Sequence, residues 1–189
     1  MKHWLIQSSI FLFIISLVLP SISLAITSSE FNPHFIISDE ELQNWQGMTS
    51  TDIQAFLNDH QGFISRLVTP DKNGANKSVA DIITQAAAEF RINPKYLLVK
   101  LQKEQSLITD NNPTQKQLDW ATGYGICDAC SMNDPTLQKY KGFGTQVDSA
   151  AAIMRWYYDN VNSQPWIKRA NTNYLIDNQS ITPATMATA

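Results

Sequence analysis

Cysteine is almost missing from this chain of 189 residues: only Cys127 and Cys130 are present, which excludes a fold stapled by several disulfides. Charge is also sparse. Acidic and basic side chains make up 16 % of the residues and leave a formal net charge of −3, without the basic excess that a nucleic-acid-binding face requires. Histidine is scarce, and beyond the N-terminal segment only His34 and His60 remain, too few to complete a metal site around the cysteine pair. No metal or cofactor is expected. After residue 25 no stretch approaches the ~20 apolar residues that a membrane-spanning helix needs.

The one long apolar run that is present occupies residues 10–19. Lys2 and His3 precede it, and the small residues Ser23 and Ala25 follow it. That order predicts a cleavable secretory signal over residues 1–25, a mature chain from Ile26, and a secreted or cell-envelope location outside the cytoplasm. The alternative is an uncleaved segment that touches the membrane, although a run of about ten residues falls short of a span. The remaining residues suit one domain. The aromatic residues fit either a large core or a groove lined for flat ligands such as sugars.

Helix signals dominate from there on, and the expected fold is mainly α with at most a small β-hairpin. Ser38 with Glu41, and Thr49 with Asp52, are capping patterns that open two short helices, a helical N-terminal extension over residues 26–77. The turn-rich stretch 61–77 leaves room for a brief strand at residues 64–68. Ser78 with Asp81 starts a helix to about Ile92, and Asn93 followed by Pro94 starts a second one, extending to Thr109. Residues 110–144 lose this periodicity and carry Gly123, Gly125, Gly142 and Gly144. So long an irregular stretch inside a domain usually serves a function. Thr145 with Asp148 opens a last helix to about Asn160, with Val147, Ala150, Ala151, Met154, Tyr158 and Val161 as its buried stripe. Residues 174–182 suit a hairpin. Thr182-Pro183 then suits a helix start that the chain leaves short, as in a fragment of a longer protein.

Glu104 stands out on the helix after Pro94. At ~100° per residue it falls beside Leu97, Leu101 and Ile108, while Lys95, Val99, Lys103 and Ser106 take the solvent side. A carboxylate on an apolar stripe either finds a partner or keeps its proton, and a protonated carboxylic acid is what cleavage of a glycosidic bond requires. A buried ion pair or a backbone hydrogen bond would be the plain alternative. In favour of chemistry, the helix ends within a turn of Glu104 and leads into the glycine-rich loop.

The segment INPKYLLVKLQKEQSLIT resembles the catalytic helix of the lysozyme-like superfamily, which includes soluble lytic transglycosylases and goose-type lysozymes. Gly142-Phe143-Gly144-Thr145-Gln146-Val147 is similar in placement to that family's Gly-Leu-Met-Gln signature. The resemblance covers residues 78–160. It implies a lysozyme-like catalytic domain over residues 78–189, with Glu104 as general acid/base acting on the β-1,4 bonds of peptidoglycan or a related amino-sugar polymer such as chitin. Gln105 and Ser106 follow the acid, Gln105 standing where the family has Ser. Asp119 is the best second carboxylate for a hydrolase, or else a turn residue. A transglycosylase needs Glu104 alone, since the sugar's own hydroxyl attacks. Trp120, Tyr124, Tyr140 and Phe143 are candidates for stacking on sugar rings or for the core, and Gln146 for contact with the substrate. A wall-binding or assembly module without turnover is the rival function. For Cys127 and Cys130 the expectation is a small disulfide beside the cleft; metal binding, redox activity and free thiols remain open.

Overall fold

The computed structural model describes residues 31–126, 131 and 134–189. The signal expected over residues 1–25, and the pair Cys127 and Cys130, lie outside the described residues. Contacts separate the chain after Phe31, and Asn32–Ala189 build one body.

Six α-helices and two small antiparallel strand pairs make up this body, so the protein is mostly helical. Helix α1 (Asp39–Gln43) is opened by Ser38, whose hydroxyl accepts from the Glu41 amide. Helix α2 (Ser50–His60) has the full reciprocal box between Thr49 and Asp52. Ser78 caps α3 (Val79–Phe90), its hydroxyl accepting from the Asp81 amide. Asn93 caps α4 (Pro94–Gln105), whose Pro94 occupies the first turn, where an absent N–H costs nothing.

The expected strand at residues 64–68 is a 3-10 turn over Phe63–Arg66 that turns Ile64 into the core. The strands lie just beyond it: β1 (Val68–Pro70) pairs with β2 (Asn76–Ser78), Val68 opposite Ser78. One hairpin was expected and two are found, because β3 (Tyr174–Ile176) pairs with β4 (Gln179–Ile181) as anticipated. Helix α4 stops at Gln105 rather than Thr109. Ser106 takes a left-handed conformation with φ 58°, and its amide turns back to Gln102 and Leu101. The long loop contains a short helix, α5 (Gln115–Asp119), opened by a capping box between Thr114 and Gln117.

The last long helix, α6 (Phe143–Asn160), begins two residues before Thr145, with Gly142 as its N-cap. Asp148 therefore does not cap it, and binds Lys72 Nζ at 2.8 Å instead. Alanines explain how closely α6 approaches α3: Ala80, Ala86 and Ala87 on one side, and Ala150 and Ala151 on the other, are buried in one cluster with Ile53, Leu57, Ile83, Leu97, Leu101 and Val147. Each fully buried Ile or Leu contributes about 1.5–3 kcal/mol relative to an exposed one. Because α2 and α3 share this core, the portions expected on either side of residue 77 form one body.

The residues after Pro183 do not start a helix. They turn back onto the N-terminal segment: the Ala184 amide donates to the His34 carbonyl, the Ala187 amide to Asp39, and Ile36 and Ile37 amides donate to the Thr188 hydroxyl. Among the described residues no helix is long and apolar enough to cross a membrane.

Candidate functional site

Glu104 lies one residue before the end of α4. It is not on the buried stripe, which consists of Leu97, Leu98 and Leu101. The rotation that buries these three leaves Glu104 at the margin, its side chain 30 % exposed, with Oε1 accepting from Lys100 Nζ at 2.7 Å. The partner is four residues back, the spacing at which side chains meet on a helix. This is the ion-pair alternative, in a half-exposed setting.

The other carboxylate oxygen faces the loop after α5. Gly123 has φ +70°, and a Cβ built on it would stand 3.5 Å from Glu104 Oε2. A Cβ at that distance would be in ordinary contact with the carboxylate, so it is the left-handed backbone, strained for a residue with a side chain, that calls for glycine there. Tyr96 lies in the first turn of α4 and is half-buried. Burial first, then the charge of Glu104 and the nearby Tyr157, push its hydroxyl up to about 12, so it stays a neutral donor at any ordinary pH.

What holds Gly123 in place is Gln146 on α6, whose exposure is 0 %. Its Oε1 accepts from the Thr122 and Tyr124 amides at 3.3 and 3.1 Å, and its Nε2 donates to the Tyr124 and Tyr140 carbonyls at 3.0 and 2.8 Å. With its amide fully engaged, Gln146 does not reach a ligand. It fixes the loop that Glu104 faces, because leaving such buried groups unpaired costs about 1–3 kcal/mol each.

The remaining sequence candidates divide between core and surface. Trp120 and Phe143 are buried, so neither offers a face to a sugar. Tyr124 is half-buried and meets Tyr140 edge to face at 5.1 Å. Gln105 gives its carbonyl to Gln117 Nε2, and Ser106 is the exposed stop of α4.

Asp119 is not brought together with Glu104. It accepts from Gln115 at 2.9 Å, pairs with Lys141 at 3.3 Å, and lines a cavity of about 370 Å³ with Thr69, Asp71 and Thr145, whose walls do not include Glu104.

Sequence reasoning passed over Lys100, Tyr96 and an aromatic trio. The four-residue spacing from Lys100 to Glu104 was the available signal for the first. Trp156, Tyr157 and Trp166 form the trio: Trp156 and Trp166 lie near-parallel at 5.9 Å, and Tyr157 stands edge-on to both. All three are exposed, Trp166 by 61 %.

Compared with known families, residues 35–188 match the family described as LasA, N-terminal domain. None of the curated proteins and none of the solved structures compared with the chain matches it.

Proposed function

Within the family of LasA N-terminal domains, to which this chain belongs, we propose an exported, lysozyme-like domain that cleaves the glycan strand of peptidoglycan or a related amino-sugar polymer. Glu104 serves as its general acid and then as its base. The observation that supports this reading is the half-exposed Glu104 carboxylate at the end of α4, facing a glycine loop that a buried amide holds rigid. A partly exposed carboxyl with one oxygen held by Lys100 suits proton transfer to a glycosidic oxygen.

Asp119 lines a cavity whose walls do not include Glu104 and carries its own cation, which favours the route that needs one carboxylate. In that route Glu104 protonates the leaving oxygen, then takes the proton of the sugar's own C6 hydroxyl as that oxygen closes an anhydro ring.

Binding without turnover is the second reading, and the Lys100 pair at 2.7 Å specifically favours it, because it gives Glu104 the part of an ordinary helix ion pair, which needs no reaction. One experiment separates the two. Purified protein and Glu104→Gln are incubated with peptidoglycan, and the soluble products are analysed by mass spectrometry. The expected result is anhydro-ended fragments, one water (about 18 Da) below reducing ends, from the wild type and none from the variant. Reducing ends that depend on Asp119 would replace the one-carboxylate route with hydrolysis. Wall binding without released fragments would establish the non-catalytic module.

A further inference from the structure

The aromatic trio lies on the last turn of α6 and the segment after it, and the core does not account for it. Trp156 and Tyr157 are on α6 facing outward, and Trp166 closes back over them from the following segment. Exposing three large rings together forgoes the burial that each would bring, and contiguous exposed apolar surface of this kind marks a binding place.

Beneath Tyr157 and Trp166 opens a cavity of about 280 Å³, walled by Met154, Val161, Ile167 and Met186 and edged by Lys168. Flat rings beside a small apolar hollow match one ligand chemistry. The C–H face of a pyranose lies on indole, and the methyl of an acetamido group enters the hollow, while Lys168 reaches the hydroxyls or the amide carbonyl. A plain hexose has nothing to place in that hollow.

We propose that Trp156, Tyr157 and Trp166, with the hollow under them, form a subsite for an N-acetylated amino sugar of the glycan strand. The subsite rests on the proposed function for its substrate class, yet binding and cleavage are read separately.

Glu104→Gln, which removes the acid and leaves the rings, is titrated with the tetrasaccharide of N-acetylglucosamine and with its glucose counterpart, cellotetraose, by tryptophan fluorescence and calorimetry. The N-acetylated oligomer is expected to bind and cellotetraose to bind at least tenfold more weakly. Adding Trp166→Ala is expected to weaken binding about tenfold, the loss of one ring contact, and Trp166→Phe to restore part of it. Since Trp166 is mostly exposed, folding is checked by circular dichroism alone.

Equal binding of both sugars, or binding that Trp166→Ala leaves unchanged, overturns the subsite even if the wild type cleaves peptidoglycan. No binding overturns it as well, and capture by anionic phospholipid vesicles in place of the sugars would reassign the rings to a membrane surface. Selective, Trp166-dependent binding without cleavage by the wild type keeps the subsite and removes the catalytic reading.

Discussion

At the scale of single residues, the Lys100–Glu104 pair decides how the carboxyl behaves. The two side chains are 26 % and 30 % exposed, and a helix pair of this spacing adds only about 0.3–0.5 kcal/mol to stability. Its hold on one carboxylate oxygen is the larger matter, because a carboxyl released from its partner is free to take other rotamers. Lys100→Met is therefore expected to lower the proposed glycan cleavage while barely changing the melting temperature. Rates of fragment release from variant and wild type, with a thermal melt of each, check both parts. An unchanged rate would mean that Lys100 does not position Glu104. The residue type and position of Glu104 were legible in the sequence, but its burial was not, because a helical wheel ranks faces without knowing how far the neighbouring helices reach around them.

At the scale of elements, the start of α6 carries the arrangement. Gly144 sits against β1 so closely that an added Cβ would lie 2.4 Å from the Pro70 carbonyl oxygen and 2.6 Å from the Asp71 Cα. Both neighbours are backbone and cannot swing aside. Gly144→Ala is expected to push α6 off the β1–β2 hairpin and to destabilise the protein by about 1–3 kcal/mol, the range for overpacking, although alanine is the better helix former. Urea denaturation measures it; an unchanged midpoint would show that the hairpin yields freely. Since Gln146 on the same turn holds the Gly123 loop, the variant should lose glycan cleavage as well. Sequence spacing placed Gly142, Gly144 and Gln146 together at a helix start. That Gln146 turns inward follows only from the loop's unpaired amides and carbonyls, which no periodicity reveals.

For the whole molecule, acid stability follows from a set of paired carboxylates. The hydrogen bond from Lys77 foremost, then those from the Ala75 and Asn73 amides, hold Asp71 below the usual carboxylate range despite the opposing burial. Asp81 is held down by the Ser50 and Ser78 hydroxyls, and Glu41 chiefly by Lys95. A lowered carboxyl contributes stability above its unfolded value and loses it as the pH falls through the folded one. Asp148 runs the other way: burial pushes it up against the pull of Lys72, so its contribution is complete below the unfolded value and fades as pH rises through the folded one. The lowered groups outnumber it, and the protein is expected to lose stability progressively below about pH 4. Asp71→Asn is expected to be less stable at neutral pH and to show a shallower loss between about pH 4 and pH 2. Melting temperatures across that range test it, and parallel curves for the two proteins would count against the Lys77 pairing.

By itself the sequence determined the mostly helical class, the caps at Ser38, Thr49, Ser78 and Asn93, the hairpin near the end, and Glu104 as the carboxyl to examine. All of these depend on a few neighbouring residues, because capping, turns and helical periodicity are local. Only the tertiary structure decided that Glu104 is half-exposed and paired with Lys100, that Trp120, Phe143 and Gln146 are interior, that Asp119 lines a cavity without Glu104, and that Trp156, Tyr157 and Trp166 meet on the surface. It also decided that residues 184–188 clasp the N-terminal segment rather than begin a helix. Each of these depends on groups distant in the chain arriving at one place, and burial and pairing there are settled by the packing of α3, α4 and α6, not by the order of residues within any one of them.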